Sequence, residues 1–514
     1  MNLYKKSQNV PTEQNKNFYI TTTLPYVNAK PHVGHIMEFI RADAIARHRR
    51  MDFQFQENQK IDSTYHEKVF FNTGSDEHGL KIYQKAVEQN LSPQEFVDEQ
   101  HLNIKSLKEK ANISYDRFIR TTDEDHKKAA QKFWQICEEK GFIYKKNYTG
   151  LYCVGCEAFL SEKDLINGEC QDHPGKKLEN ISEENYFFKY SEFENQLLDL
   201  YNHKNQNGQS FVVPETRLNE AKKLVENKLE DFSISRLKER MPWGIEVPGD
   251  NNHVMYVWFD ALVNYISTLG WPDSDPESNF DKFWNRGQVV QICGKDNLQF
   301  QATRWQAMLM SVGIKNSDNI IVNGFITSGG QKMSKTVGNV VDPIEYIDKY
   351  GIDAVRYFVT RELHPFEDSD FSEEKFKESY NANLANGLGN VVSRVIQMAI
   401  MNNLRIEKSD LDYNIRSNWS QHQEYHKSFN EFNLQKASDY VWNQIKEVDS
   451  IIAETEPFKL IKNNKEQAEE IIKNLLIKVW QIAFLVEPIL PQTADTIKKS
   501  ISDFEKPKPL FVRI

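Results

Sequence analysis

The sequence predicts an α/β protein whose C-terminal part is all helical, and three observations carry that prediction. Short apolar runs alternate with helical patterns through the first half of the chain. A cysteine-containing stretch breaks this rhythm in the middle, and only helical patterns follow from about residue 376. Alternating strands and helices imply a parallel sheet, whereas a run of helices alone implies a bundle.

The elements follow in order. NFYITTTLP (17–25) is rich in β-branched and aromatic residues and reads as a strand. Residues 36–50 read as a helix, with Ile36, Phe39, Ile40 and Ala44 at helical spacing. KVFFNTG (68–74) reads as a second strand, and VVQICG (289–294) and NIIVNGF (319–325) as later ones. Continuous apolar strands of this kind suit a parallel sheet covered on both faces. The expected organisation is an α/β first half over 1–125, an insertion over 126–255, an α/β second half over 256–375 and a helical domain over 376–514.

With 514 residues, 39% of them apolar and 27% charged, the chain is long enough for several well-cored globular domains. A net charge of −10 excludes a basic nucleic-acid-binding module as a whole. It leaves room for a local basic surface that touches RNA. Cys137, Cys153, Cys156, Cys170 and Cys293 are sparse and odd in number, which argues for a reducing compartment. The N-terminal stretch has neither the apolar core of a signal peptide nor the arginines of a transit peptide, so a cytoplasmic location is expected. LLIKVWQIAFLVEPIL is broken by Lys478, Gln481, Glu487 and Pro488 and reads as a buried helix, with no membrane partner expected.

Two short motifs carry chemistry. In PHVGH, His32 and His35 follow a strand and open a helix. A helix N-terminus offers unsatisfied N–H groups and partial positive charge, which favour phosphate. Gly34 leaves room for a ligand near the backbone, and imidazoles can donate to phosphoryl oxygens. Taken alone, these residues fit an ordinary pair of surface or core histidines as well. A metal pair fits less, because no third ligand stands nearby in sequence. The second motif is SGGQKMSKTVGN (328–339), with Lys332, Lys335, Ser334 and Thr336 among flexible glycines. Such a loop can close over a triphosphate and neutralise its charge as pyrophosphate leaves. It lacks the Walker pattern GxxxxGK[ST]. Alone it would be a solvated lysine loop; beside HVGH, about 300 residues upstream, it is far more specific.

With these signatures the chain resembles the class I aminoacyl-tRNA synthetases, whose HIGH and KMSKS motifs read here His32-Val33-Gly34-His35 and Lys332-Met333-Ser334-Lys335-Thr336. TLPYVNAKPHVGH, TGSDEHGLKI, YVWFDALVNY and GKDNLQFQATRW are similar to segments of the methionyl branch, and the likeness runs from about residue 17 to the C-terminus. The resemblance implies a Rossmann-like parallel-sheet catalytic domain split by a zinc-containing insertion, followed by an all-α anticodon-binding domain. It implies activation of methionine by ATP, with Mg2+, to methionyl-adenylate, and transfer to the 3′ end of tRNA(Met). His32, His35, Lys332 and Lys335 would be the catalytic groups, with Gly34 and Ser334 joining them in holding ATP.

CVGCEAFLSEKDLINGECQDH spaces Cys153, Cys156, Cys170 and His173 as two short knuckles. Four such ligands can close a tetrahedral Zn2+ with no open position, so one structural ion is expected at about 150–176. Many methionyl enzymes carry such a knuckle in this insertion. Cys137 and Cys293 read as small buried hydrophobes.

The resemblance places the methionine side chain against Leu24, Tyr26, Trp258, Ala261 and Tyr265, with Asp76 holding the ammonium. Aromatic walls suit a thioether, and a carboxylate suits an ammonium. Two positions depart from the family: where an apolar residue and a histidine are usual, this chain has Asn297 and Gln301. A second departure is the polar stretch between the HVGH helix and the next strand, longer than usual by about a dozen residues and expected as a surface loop around 53–67. In the helical domain, Asn390 and Arg394 match anticodon-reading positions. Phe458 stands where the family more often has tryptophan, and it can still stack on an unpaired base.

Rival readings are weaker. Leucine, isoleucine and valine enzymes usually need a large editing insertion, for which 514 residues leave little room. A cysteine enzyme would put zinc in its substrate pocket. A smaller nucleotidyltransferase would lack the lysine loop and the helical part, and a non-catalytic relative would not need both signatures intact. KPLFVRI closes the sequence without an evident appended tRNA-binding module, so a monomer is expected.

Overall fold

The apolar run FYITT forms strand β1, Phe18–Thr22, with every residue buried. Five further strands join it: β2 (Val69–Ser75), β3 (Arg117–Arg120), β4 (Val212–Val213), β5 (Gln288–Gly294) and β6 (Asn319–Asn323). They lie in the order β3-β2-β1-β5-β6-β4. β1 runs parallel to β5, β2 to β3 and β6 to β4. The expected parallel sheet is therefore present. The strand read as 17–25 ends at Thr22; Thr23, Leu24 and Pro25 are outside it, and Tyr26 makes only an isolated parallel bridge to Asp76.

The structure, a computed structural model, describes residues 17–28, 31–56, 67–153, 158–160, 165–170, 175–203, 208–273, 275–332 and 341–514. Contacts divide the chain into two units. The first is Met1–Pro31, Asn72–Ser106 and Tyr115–Val322; the second is His32–Phe71, Leu107–Ser114 and Asn323–Ile514.

The first unit holds most of the sheet and a β-rich stretch within the expected insertion. There Ile143–Cys153 pairs antiparallel with Glu179–Phe188 and with Ala158–Leu160. Cys137 and Cys293 are fully buried, as expected, and burial pushes the Cys137 thiol up to about 12.

The second unit begins with helix α1, Val33–Gln56. This corrects the reading of 36–50, and it corrects part of the expected surface loop. Phe53 and Phe55 are buried, Phe55 packs 4.5 Å from Trp419, and the Trp419 indole donates to Asp52 at 3.1 Å. Aromatic anchors hidden in a polar stretch thus lengthen the helix; residues 57–66 lie outside the described part. The C-terminal region is helical as expected, its long helices being Asn390–Met401, Leu434–Thr455, Lys465–Val486 and Pro491–Asp503. Among the described residues no helix is long and apolar enough to cross a membrane.

Buried charges fix α1 inside this unit. Arg41 donates from Nε to Val359 O, from Nη1 to Asn323 Oδ1 and Pro365 O, and from Nη2 to Leu363 O and His364 O. That accounts for the whole guanidinium fork. Asp43, fully buried, accepts from Arg47 at 2.6 Å, from Arg356 at 2.7 Å and from the backbone and hydroxyl of Ser114, both at 2.6 Å. Arg356 also donates to Ile489 O and Pro488 O, at the entry to Pro491–Asp503. Burial alone would raise the Asp43 carboxyl, but Arg47, Arg356 and Ser114 outweigh it and hold it down at about 2.

Because the folded value lies below the ordinary 3.8, the stabilisation is complete above that value and is lost as pH falls toward 2. Asp43→Ala, which strands Arg356 in the core, is expected to lower unfolding stability by about 3–5 kcal/mol at neutral pH. In urea titrations the deficit should shrink between about pH 4 and about pH 2; a constant deficit there would contradict the assignment.

Candidate functional site

His32 stands at the N-cap of α1. Its Nδ1 accepts from Gly34 N at 3.1 Å, while the Nδ1 of His35 accepts from His32 N at 3.2 Å. This reciprocal pattern is a variant of the capping box, the N-cap ring accepting from the second helical N–H where a capping box uses the third. The rings stack with centroids 3.8 Å apart. With Nδ1 accepting in both, the neutral rings carry their proton at Nε2, and both Nε2–H groups are donors at a helix N-terminus. A Cβ on Gly34 would sit 2.9 Å from Cε1 and 3.0 Å from Nδ1 of His32. The glycine therefore makes room for the histidine ring itself, a reason the sequence did not suggest. His32 is exposed and His35 half-buried.

In the same unit, Ile326–Ser328 and Gln331–Lys332 form a hairpin, with Thr327 opposite Lys332. Its turn residues Gly329 and Gly330 have φ of 63° and 73°, as a tight two-residue hairpin turn requires. Asp370 holds the turn: one carboxylate oxygen accepts from Gly330 N at 2.8 Å and from the Thr327 hydroxyl at 2.9 Å. These bonds depress its carboxyl, the Gly330 bond foremost. Asp370 was missed in the sequence because it lies outside every motif, on the short strand Ser369–Asp370 that pairs with Ile326–Ser328. The hairpin leads into the lysine loop. Met333, Ser334, Lys335 and Thr336 lie outside the described residues, and Lys332 is described only in its strand position.

The expected methionine-binding residues all lie in the first unit. Tyr26 forms a parallel bridge with Asp76, with Val27 N donating to Asp76 O at 3.1 Å and Asp76 N to Pro25 O at 3.0 Å. The LPY and SDEHG segments are thus one backbone unit, with Leu24 and Tyr26 half-buried and Asp76 buried. Behind Asp76, the carboxylate of Glu77 is fully buried. It accepts from the Ser75 hydroxyl at 2.5 Å, from Arg120 Nε at 2.8 and 3.0 Å, and from the Thr122 hydroxyl at 2.5 Å. Its backbone oxygen accepts from the Trp243 indole at 2.6 Å.

His78 connects this segment to the next. Its Nδ1 lies 3.1 Å from Asp260, both side chains being buried. Asp260 sits on the helix Val257–Leu262 together with Trp258 and Ala261. Burial holds the Asp260 carboxyl above the ordinary range, with His78 opposing. Asn72 of β2 makes a parallel tie, accepting from Thr268 at 2.8 Å and donating to Asn264 at 3.4 Å beside Tyr265. Trp258 is half-buried and stacks on Phe300 at 3.7 Å, 8° from parallel. The Arg304 guanidinium lies 4.9 Å from the Phe300 ring centroid.

The two departures differ in setting. Asn297 is half-exposed on the turn Lys295–Asn297, where a polar side chain is readily accommodated. Gln301 is buried, accepts from Gln291 at 3.0 Å and donates to the Tyr265 hydroxyl at 2.5 Å. A glutamine at a buried position is therefore matched by hydrogen-bond partners on both sides.

Of the expected zinc ligands, Cys153 and Cys170 are buried at strand ends, and Cys156 and His173 lie outside the described residues. Among the described residues no group of three or more His, Cys, Asp or Glu is placed to hold a metal. Of the positions expected to read the anticodon, Asn390 is exposed, Arg394 pairs with Asp449 at 2.7 Å, and Phe458 is 46% exposed, an unusual setting for phenylalanine.

Comparison with known proteins places this geometry in context. The sequence profile of the family described as tRNA synthetases class I (M) matches residues 18–181 and 163–396. A methionine–tRNA ligase of Fusobacterium nucleatum is 38% identical over 498 residues, covering 95% of this chain and 74% of its own. One from Thermotoga maritima is 37% identical, with 95% and 76% covered. Among solved structures, Mycobacterium tuberculosis methionyl-tRNA synthetase in complex with methionyl-adenylate superimposes with a TM-score of 0.82 at 35% identity, over 94% of this chain and 93% of its own.

Proposed function

Because the chain belongs to the class I aminoacyl-tRNA synthetases, in the methionine–tRNA ligase family, we propose that the named motifs divide the work of methionine activation. The overall reaction joins methionine to ATP as methionyl-adenylate, releases pyrophosphate, and passes the methionyl group to the 3′ end of tRNA(Met). His32 and His35, with Gly34 between them, donate to phosphate oxygens; Lys332, Ser334 and Lys335 cover the triphosphate. The capping geometry of the two histidines carries this reading, because it fixes both rings as Nε2–H donors at the start of α1. ATP arrives with Mg2+, which supplies further positive charge on the phosphates when bound. Little covalent chemistry falls to the protein: it positions the carboxylate nucleophile and stabilises the charge that develops as pyrophosphate departs. Asp370, by tying down the hairpin at Gly330, sets where the lysine loop starts.

Leu24, Tyr26, Trp258, Ala261, Tyr265, Asn297 and Gln301 enclose the methionine side chain, and Asp76 binds its ammonium. The Tyr26–Asp76 bridge and the His78–Asp260 bond support this reading, since they join the three contributing segments within one unit. Asn390, Arg394 and Phe458 read anticodon bases, the exposed Phe458 ring by stacking.

Within the catalytic framework, 126–255 is the connective insertion and 376–514 the anticodon-binding domain of a cytoplasmic, monomeric enzyme. Cys153, Cys156, Cys170 and His173 hold one structural Zn2+. The two described cysteines suit that donor set, being buried and soft. With four protein ligands the ion has a folding role and no part in the chemistry.

Lys335→Ala is expected to slow single-turnover adenylate formation by about a hundredfold or more, with a far smaller change in methionine Kd. Equal losses in both would remove Lys335 from the transition state. Elemental analysis of the purified protein should find one zinc per chain, lost in Cys170→Ser; retention of zinc by that variant would refute the ligand set.

A further inference from the structure

Asn72, in the middle of β2, touches β1 and the two short helices Val257–Leu262 and Asn264–Ser267 through one side-chain amide and its partner. Its Nδ2 donates to the Thr21 hydroxyl of β1 at 3.1 Å and to Asn264 Oδ1 at 3.4 Å, and its Oδ1 accepts from the Thr268 hydroxyl at 2.8 Å. Asn264 in turn donates from Nδ2 to the backbone oxygen of Ala261 at 2.6 Å. On the opposite face of the two strands, the hydroxyls of Thr22 and Thr73 lie 2.8 Å apart. Asn72, Thr21, Asn264 and Thr268 are all buried, so water does not compete for these bonds.

The orientation of each group follows from the Ala261 carbonyl, which can only accept. The end of the Asn264 amide that faces it is therefore the NH2, and the end that faces Asn72 is the oxygen. An amide oxygen only accepts as well, so Asn72 presents its NH2 to Asn264 and its oxygen to Thr268, whose hydroxyl must donate. Thr21 then accepts from the same NH2, its own proton directed to the Thr22 backbone oxygen at 3.4 Å. Both hydrogens of Asn72 Nδ2 thus have an acceptor, and its oxygen has a donor. Asn264 and Thr268 stand four residues apart, one helical turn, and so meet β2 on one face. Two fixed points on one face set both the height and the rotation of these helices over the strands.

We propose that Asn72 is a positioning residue for methionine: by holding Thr21, Asn264 and Thr268 together, it fixes where the helix Val257–Leu262 sets Trp258 and Ala261 relative to Asp76. This rests on the reading of Trp258, Ala261 and Asp76 as methionine-pocket residues. Asp76 follows Asn72 by four residues, and Leu24 follows Thr21 by three. The amide therefore ties the roots of all three segments on which that reading draws. Methionine would be held at both ends, its ammonium at Asp76 and its side chain at Trp258 and Ala261. The spacing between those groups decides whether both contacts form together. Apolar contact is sensitive to such spacing, since a gap of roughly 0.5–1 Å forfeits a quarter to a half of its attraction. None of the bonds of Asn72 touches His32 or His35, so the tie bears on methionine and not on ATP.

Asn72→Leu keeps the branched outline of the side chain and removes every hydrogen bond it makes. In ATP–pyrophosphate exchange it should raise the methionine KM about fivefold or more, with the ATP KM within about twofold of the unchanged enzyme. An unchanged methionine KM, or both KM values raised alike, would overturn the proposal. Asn72→Leu also leaves the Thr268 hydroxyl buried without its acceptor. The double variant Asn72→Leu/Thr268→Val, in which that hydroxyl is gone as well, separates the lost tie from the orphaned group. The raised methionine KM should persist in it; a return to the ordinary value would overturn the proposal. Should Asn72→Leu not fold, the double variant carries the same test. Trp258→Ala separates the two readings. An unchanged methionine KM there would refute the pocket assignment itself, whereas a raised KM there beside ordinary values in the Asn72 variants would refute the positioning role alone.

Discussion

A charge or amide placed inside a protein must be answered, because water is absent and an unpaired polar group there costs several kcal/mol. The Asp43–Arg356 pair, with both side chains fully buried, is the strictest case in this chain. Arg356 can be satisfied only if α1, the entry to Pro491–Asp503 and the segment around Asn112 all lie where they do. Arg41 imposes the same condition on the 359–365 stretch. The direction in which α1 presents His32 and His35 therefore follows from Arg41 and Asp43, buried roughly two to three turns further along the same helix.

The first unit obeys the same rule with different groups. Glu77 needs Ser75, Arg120 and Thr122 around it, and so pins the segment that carries Asp76. His78 needs Asp260, and so pins the helix that carries Trp258 and Ala261. The residues proposed to touch methionine are few and mostly apolar. The residues that hold them are buried, polar and specific in geometry, and one step removed from the substrate.

Much of this was legible in the sequence. The apolar runs of β1, β2, β5 and β6 bury both faces, and such runs are recognisable without tertiary information. HVGH and KMSKT announce themselves by composition and order. The far end of α1 departs from the expectation because Phe53 and Phe55 sit among polar residues whose average suggests a loop, whereas both are buried and Phe55 packs on the later Trp419 and Phe484. Asp370 left no mark because its role depends on a strand pairing across the turn it holds. Gln291 did leave one: a lone amide in the apolar strand VVQICG signals a buried group that needs partners, though not which partners. The exchange of histidine for Gln301 was visible as a departure, and its bonds to Gln291 and Tyr265 were not, since no periodicity links a strand to two helices.

These braces are proposed to build a pocket for one amino acid. ATP–pyrophosphate exchange measured with each of the twenty amino acids tests it most directly. Methionine should support exchange at least about a thousandfold better in kcat/KM than leucine or isoleucine, beyond the roughly 10–200-fold that a single methylene can discriminate. Comparable exchange with either of those, or none with methionine, would contradict it.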